Sequence, residues 1–263
     1  MNKITLKNKF SIVTGGAGYI GKKVCETLCD LGSNILILDN NKTELSKISR
    51  SLKKKYKCKV DTLYVDLTKI SDVNDTYKFI RKNYKHIDVL INAIAMVGTS
   101  DLKGWNEPFS KQSRSSWDKA IDVNLSSLFF FIQKIKPAFK KNNKASIINI
   151  SSIYGSEAPK LDMYKGTSIN NPAAYSISKA GLNYMTKWLA VHLAPDIRVN
   201  TISPGGIARG QSKKFIKQYS EKTLLKRMAL EEDIIGSIIF LSTNMSSYIT
   251  GQNIIIDGGW SIK

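Results

Sequence analysis

Tyr175 and Lys179 stand four residues apart in the string YSISK, a spacing that an α-helix turns onto one face. A phenol beside an ammonium group is an acid–base device, because the cation favours the phenolate and draws a group that ordinarily titrates near pH 10 toward neutrality. That displacement corresponds to roughly 4 kcal/mol of differential stabilisation. Tyr and Lys also meet at this spacing on the solvated faces of amphipathic helices, so the pair takes its meaning from what surrounds it.

The elements that must position the pair are also written in the chain. TGGAGYIG, Thr14 to Gly21, follows the apolar run Phe10 to Val13 and opens a segment with helical periodicity at Ile20, Val24, Leu28 and Leu31. A strand that feeds a glycine turn and then a helix presents backbone N–H groups and a positive helix end to a pyrophosphate. Gly15, Gly18 and Gly21 carry this turn. SIINISS, Ser146 to Ser152, is a β-branched strand that ends in two hydroxyls, at the carboxyl edge where open α/β sheets bind ligands. Asn124 lies in DVNLSSLFFF, near the predicted start of another helix. Singly, a serine at a strand end or an Asn in a helix is ordinary capping or solvation. In this order along one chain they describe a site.

The ordered set resembles the short-chain dehydrogenase/reductase family, and the resemblance covers almost the whole chain. It is carried by TGGAGYIG, VDLT (Val65 to Thr68), LINAIA (Leu90 to Ala95), Asn124, Ser152, Tyr175, Lys179, ISPGGI (Ile202 to Ile207) and YITGQNIIIDGGW (Tyr248 to Trp260). The family implies an α/β fold: a Rossmann-like, doubly wound parallel sheet of about seven strands with helices on both faces. This would be a three-layer sandwich forming one NAD(P)-binding domain over residues 1–263. It further implies hydride transfer between a nicotinamide cofactor and an alcohol or carbonyl.

Carried over by motif, Tyr175 would be the general acid/base, and Lys179 would hold the ribose hydroxyls while lowering the tyrosine pKa. Ser152 would bond the substrate oxygen and Asn124 would anchor a relay water. The cofactor would lie against Gly15, Gly18, Tyr19, Ile20 and Gly21, with Asp39 at the ribose and Asp66 and Leu67 flanking the adenine. Asn92, Ala93, Tyr175, Lys179, Pro204, Gly205 and Ile207 would complete its contacts. The chemistry independently needs such types, since hydride transfer leaves charge on oxygen that a positioned proton donor must neutralise. Two departures from the family pattern stand out: Tyr19 occupies the sixth position of the glycine motif, and Ile94 and Ala95 replace an Ala-Gly pair.

Asp39 ends the predicted second strand in NILILDNN. A carboxylate there accepts bonds from the adenosine ribose hydroxyls and repels a 2′-phosphate, which favours NAD over NADP, although DNN is also good turn chemistry and Lys42 is close. Strands are predicted near 10–14, 35–38, 60–65, 88–92, 146–150, 197–202 and 253–256, with helical patterns between them. The polar, basic and weakly periodic segment Ile207 to Met228 corresponds in the family to a substrate lid (207–228). Helices beginning near Asn124 and Ala173 carry apolar residues beyond one core face, namely Phe129, Phe130, Phe131, Tyr184, Met185 and Trp188. By resemblance these form a subunit interface, so a homotetramer or homodimer is expected.

At 263 residues and 42 % apolar composition the chain is long enough for one buried core. The N-terminus runs directly into the first strand with no apolar signal core, and no apolar run approaches a membrane helix. A cytoplasmic protein is expected. Cys25, Cys29 and Cys58 are read as reduced structural thiols, and His86 and His192 lie far apart without clustered partners, so no metal site is expected. The formal charge of +19 is spread along most helices, which favours a solvated surface over a nucleic-acid partner.

Two basic concentrations are more suggestive: eight basic residues between Lys42 and Lys59, and Arg209, Lys213, Lys214 and Lys217 on the expected lid. Basic groups at the mouth would favour an anionic small-molecule substrate. The lengthened stretch between Ser152 and Tyr175 should form part of the substrate wall. Its pattern resembles family members of bacterial surface-glycan and flagellin-sugar pathways. An NAD-dependent dehydrogenase of a sugar derivative therefore leads. A 3-oxoacyl-acyl-carrier-protein reductase and a non-enzymatic cofactor-binding regulator remain the alternatives.

Overall fold

A computed structural model describes residues 4–97, 100, 102–141 and 144–263. Seven strands form one parallel sheet: β1 (Phe10–Thr14), β2 (Asn34–Asp39), β3 (Val60–Tyr64), β4 (Val89–Asn92), β5 (Ala145–Ile150), β6 (Ile197–Pro204) and β7 (Asn253–Ile256), in the order β3-β2-β1-β4-β5-β6-β7. The order reverses between β1 and β4, and this switch point opens a crevice at the carboxyl ends of the strands. Every strand expected from the sequence is present.

Each strand alternates its apolar residues between two cores, because successive side chains point to opposite faces. Ile12, Leu36, Leu90, Ile147 and Val199 are in register and face α3 (Ile70–Asn83), α5 (Ser127–Ile135) and α6 (Ala173–Leu193). Val13, Ile37, Ile91 and Ile148 point the other way, against α1 (Tyr19–Asp30), α2 (Lys42–Lys55) and α8 (Ile235–Ser242). The result is the expected three-layer sandwich.

One rung at the carboxyl edge is polar instead. Thr14, Asn92, Asn149 and Thr201 are paired in register across four strands. Thr14 Oγ1 donates to Asn92 Oδ1 at 3.3 Å, Asn92 Nδ2 to Asn149 Oδ1 at 2.8 Å, and Asn149 Nδ2 to Thr186 Oγ1 at 2.8 Å. Thr201 Oγ1 reaches the same Thr186 hydroxyl at 2.7 Å. Every member is fully or almost fully buried, so the mutual satisfaction is obligatory.

Three sequence expectations are corrected. The helix expected to begin near Asn124 starts earlier, as α4 (Arg114–Ile121), and passes through a π-helical turn at Asp122–Ser126 into α5. Phe131 and Met185 belong to the core, because at 100° per residue they fall on the inward side of their helices. Phe130, Tyr184 and Trp188 are the exposed ones. The 207–228 segment is more periodic than expected: α7 (Lys213–Glu221) buries Phe215 and Tyr219, four residues apart, and leaves Lys213, Lys214 and Lys217 outside. No helix among the described residues is long and apolar enough to cross a membrane.

Candidate active site

The turn after β1 takes a shape that needs glycine. Gly15 has φ +64°, and a Cβ there would lie 2.7 Å from the Ile94 backbone, while at Gly21 it would lie 2.1 Å from the Gly15 carbonyl oxygen. Helix α1 then opens with no side-chain cap and no acidic residue in its first turn, leaving its positive end to an anion. Asp39 ends β2 beside this turn. Its Oδ2 accepts the Ala17 N–H and its Oδ1 the Asn41 N–H, both at 2.9 Å, which aims the carboxylate at the turn.

Asp66 and Leu67 follow β3. Burial alone would raise the Asp66 carboxyl, but bonds from the Thr68 hydroxyl and N–H, together with Lys119 and Lys69, hold it below its ordinary value. The Asn92 side chain is consumed by the buried rung between β1 and β5. The Ala93 N–H is likewise taken, by the Thr14 carbonyl at 3.0 Å. Across the crevice, Pro204 ends β6, the Gly205 N–H bonds the Ile256 carbonyl at 2.8 Å, and Ile207 bridges Ala229.

Ser152, Tyr175, Lys179 and Asn124 come together at the carboxyl end of β5. Ser152 lies next to Tyr175 and favours its phenolate, and its hydroxyl accepts the Tyr154 N–H at 3.2 Å. One turn along α6, Lys179 is 1 % exposed. Its Nζ donates to the Ile150 carbonyl at 2.9 Å and lies 5.9 Å from the centroid of the Tyr175 ring. Burial lowers the Lys179 ammonium from the usual 10.5 to about 8.

The expected lowering of the Tyr175 pKa by Lys179 is not found. Burial pushes the phenol above its ordinary value, and the neighbouring Ser152 hydroxyl and the charge of Arg209 only partly offset it. Desolvation acts on the whole phenolate, whereas the lysine turns to a backbone carbonyl.

Asn124 is fully buried in the π-helical turn. Its Oδ1 accepts the Met96 N–H at 2.6 Å, and its Nδ2 reaches the Met96 carbonyl at 3.2 Å and Ser178 Oγ at 3.0 Å. It therefore ties the segment after β4 to α6. Ser178 lies inside YSISK and was overlooked, because a small hydroxyl between Tyr175 and Lys179 carries no signal of its own.

The residues between Ser152 and Tyr175 build a wall. Tyr154 and Tyr164 share a hydroxyl contact of 2.6 Å and pack with Met163, Phe215, Tyr219 and Trp260. The Tyr219 hydroxyl accepts the Gly206 N–H at 2.5 Å. The 207–228 segment thus closes against this wall through aromatic residues, while its lysines face outward. Lys214 is exposed as well, its Nζ passing close to Gly166. Arg209 was expected among the basic residues of the mouth, but its stacking on Tyr19 was not legible, since 190 residues separate the two in sequence.

Comparisons with known proteins agree with this geometry. A family model described as enoyl-(acyl carrier protein) reductase matches residues 15–261. The post-translational flagellin modification protein A of Campylobacter coli is 32 % identical over 259 residues, covering 98 % of this chain and 100 % of that protein. A 3-oxoacyl-(acyl-carrier-protein) reductase of Thermotoga maritima is 31 % identical, covering 97 % and 98 %. Among solved structures, a short chain dehydrogenase from Leptospira borgpetersenii with bound NAD+ is 32 % identical with a TM-score of 0.83, covering 97 % of this chain and 93 % of that one. The chain therefore belongs to the short-chain dehydrogenase/reductase family, nicotinamide-dependent oxidoreductases that act on CH–OH groups.

Proposed function

We propose that the chain is an NAD-dependent dehydrogenase that interconverts an alcohol and a carbonyl on an anionic sugar derivative, with Tyr175 as general acid/base. The observation that carries the chemistry is the Tyr175 phenol, set beside Ser152 with the buried Lys179 ammonium 5.9 Å from its ring centroid. The residues fit a nicotinamide dinucleotide: the glycine turn leaves a bare helix end, and the Lys179 ammonium has three donors of which the Ile150 carbonyl takes one. The bound cofactor supplies or accepts the hydride. Ser152 orients the reacting oxygen, Tyr175 exchanges a proton with it, and Lys179 binds the ribose hydroxyls. Asn124 acts through the chain segments it joins.

The finer points rest on separate supports. Asp39 beside the glycine turn favours NAD. The basic mouth and the flagellin-modifying relative favour an anionic sugar, while the similarly identical 3-oxoacyl-(acyl-carrier-protein) reductase keeps an acyl-carrier substrate as the second reading. Segment 207–228 is the lid of a single domain spanning 1–263. Exposed Phe130, Tyr184, Trp188 and Val191 on α5 and α6 make a face suited to a homotetramer or homodimer.

Purified protein screened against sugar phosphates, nucleotide sugars and neutral polyols is expected to oxidise an anionic member with NAD. In that assay Tyr175→Phe should lose about 10²- to 10⁴-fold in kcat while binding NADH within a few-fold of wild type. Retention of more than about a tenth of kcat removes Tyr175 from the acid/base role.

For the cofactor, fluorescence titration should show NADH bound about ten-fold more tightly than NADPH, with the preference shrinking in Asp39→Ala. Equal affinities in the wild type refute the NAD assignment.

Lys179 also makes stability depend on pH. Its folded value of about 8 lies below the ordinary 10.5, so the unfolded chain binds the extra proton and stability rises as pH increases through that window. Below pH 8 the penalty is complete. Lys179→Met should therefore stabilise the cofactor-free protein by about 2 kcal/mol at pH 7, after allowing for an unpaired Ile150 carbonyl. The gain should fade toward pH 10.5, and activity should be lost throughout. A denaturation midpoint that drops in the variant at pH 7 contradicts the buried charge.

Light scattering at micromolar concentration should report a dimer or tetramer. A species of 29.4 kDa alone excludes the proposed interface.

A further inference from the structure

Tyr19 takes the place of a glycine where the turn passes into α1, and its ring is 70 % exposed. Over that ring lies Arg209 from the start of the proposed lid, its guanidinium carbon 4.8 Å from the centroid. Arg209 Nε donates to Glu231 at 2.7 Å, and the side chain is only 25 % exposed. The approach is braced, since the Arg209 N–H bonds Gln211 Oε1 at 2.6 Å and Gln211 Nε2 bonds the Ile207 carbonyl at 2.9 Å. Gly210 follows with φ +81° and open space around it, where the chain is free to pivot. The same guanidinium acts electrostatically on Tyr175. Arg209 thus lies over the path from the glycine turn to the phenol.

A dinucleotide that places its diphosphate on the turn and its reacting ring at Tyr175 must follow this path. The helix end offers only partial positive charge to a diphosphate. The two lysines of α1 nearest the turn are already engaged, Lys22 with Glu44 at 2.5 Å and Lys23 with Glu232 at 2.7 Å. Arg209 is held by an exposed ring and a carboxylate, and a guanidinium suits two phosphate oxygens better than either.

We propose that Tyr19 and Arg209 form a latch: the ring keeps the guanidinium over the glycine turn, and on cofactor binding the guanidinium passes to the diphosphate, making Arg209 the positioning residue that couples lid closure to cofactor retention. This rests on the nicotinamide-cofactor reading. Electron and proton transfers are untouched by it, so its signature lies in binding.

The test uses the full chain with NADH, ADP-ribose and adenosine as probes. Arg209→Gln is expected to weaken NADH and ADP-ribose about ten-fold and to leave adenosine within about two-fold, because only the first two carry the diphosphate. Arg209→Lys should recover part of the loss, keeping the charge without the planar fork. Stopped-flow association of NADH should be slower in Tyr19→Leu, where the guanidinium is no longer held over the turn, and this effect should vanish in the Arg209→Gln background, as a double-mutant cycle requires of one device. Unchanged ADP-ribose affinity in Arg209→Gln overturns the latch. If the change is confined to the KM of an anionic substrate, Arg209 reads the substrate and the latch is again wrong. Equal loss for adenosine marks local collapse and equally overturns it. Wild-type protein that binds neither NADH nor NADPH refutes the cofactor reading itself, a result distinct from all of these.

Discussion

Lys179 brings an ammonium group into a place that water does not reach, and the arrangement around the crevice follows from accommodating it. The group is held by the carbonyl of Ile150, the last residue of β5. A carbonyl is free there because the strand ends and the chain turns into Ser151 and Ser152. Ser151 in turn donates its hydroxyl to the Lys179 carbonyl at 3.1 Å, so strand end and helix grip each other in both directions. Ser152 is thereby set beside Tyr175. A buried charge with one acceptor among the described residues is costly, which suits the role proposed for Lys179 at the ribose hydroxyls. Function rather than stability accounts for such a residue.

The sheet is stiffened where this happens. The rung from Thr14 through Asn92 and Asn149 to Thr186 and Thr201 links four strands and α6 just inside the carboxyl edge. At the opposite edge, Asp88 accepts the Phe10 N–H at 3.0 Å and pairs with Lys9 at 3.1 Å. Both ends of the β1–β4 seam, the switch point of the fold, are therefore fastened by buried polar groups. Apolar packing alone fixes how far apart two strands lie, and hydrogen bonds of fixed direction also fix their axial register. A crevice whose two walls come from different halves of the sheet depends on that register.

The fold was legible in the sequence because its signals are local. Alternation between turn residues and β-branched runs marks each strand, and each of the seven lies within two residues of its expected bounds at either end. The site residues were legible as types at spacings, YSISK above all. What escaped depends on contacts between distant segments. The Asn92 side chain serves the sheet through partners on β1 and β5. Tyr175 reads as acidified by Lys179, yet burial raises it and the charge of Arg209 offsets only part of that. Helix α4 escaped because its apolar pattern is weak and the π-helical turn at Asn124 shifts the phase between α4 and α5, so one continuous periodicity spans neither.

The positive charge is explained the same way, by asking what each cation meets. Glu44, Asp162, Glu231, Glu232 and Asp233 are all paired with lysine or arginine, so the excess of 40 basic over 21 acidic residues remains mostly on solvated helix faces such as α2. There a charge is screened within about 10 Å at moderate salt and directs little. Inside the crevice the same charge is screened far less, and the energies change accordingly. Among the described residues, Arg209 lies near the turn and Lys179 beneath the phenol. The proposed chemistry thus draws on these two less exposed charges, whereas the outer face of α2 is simply solvated.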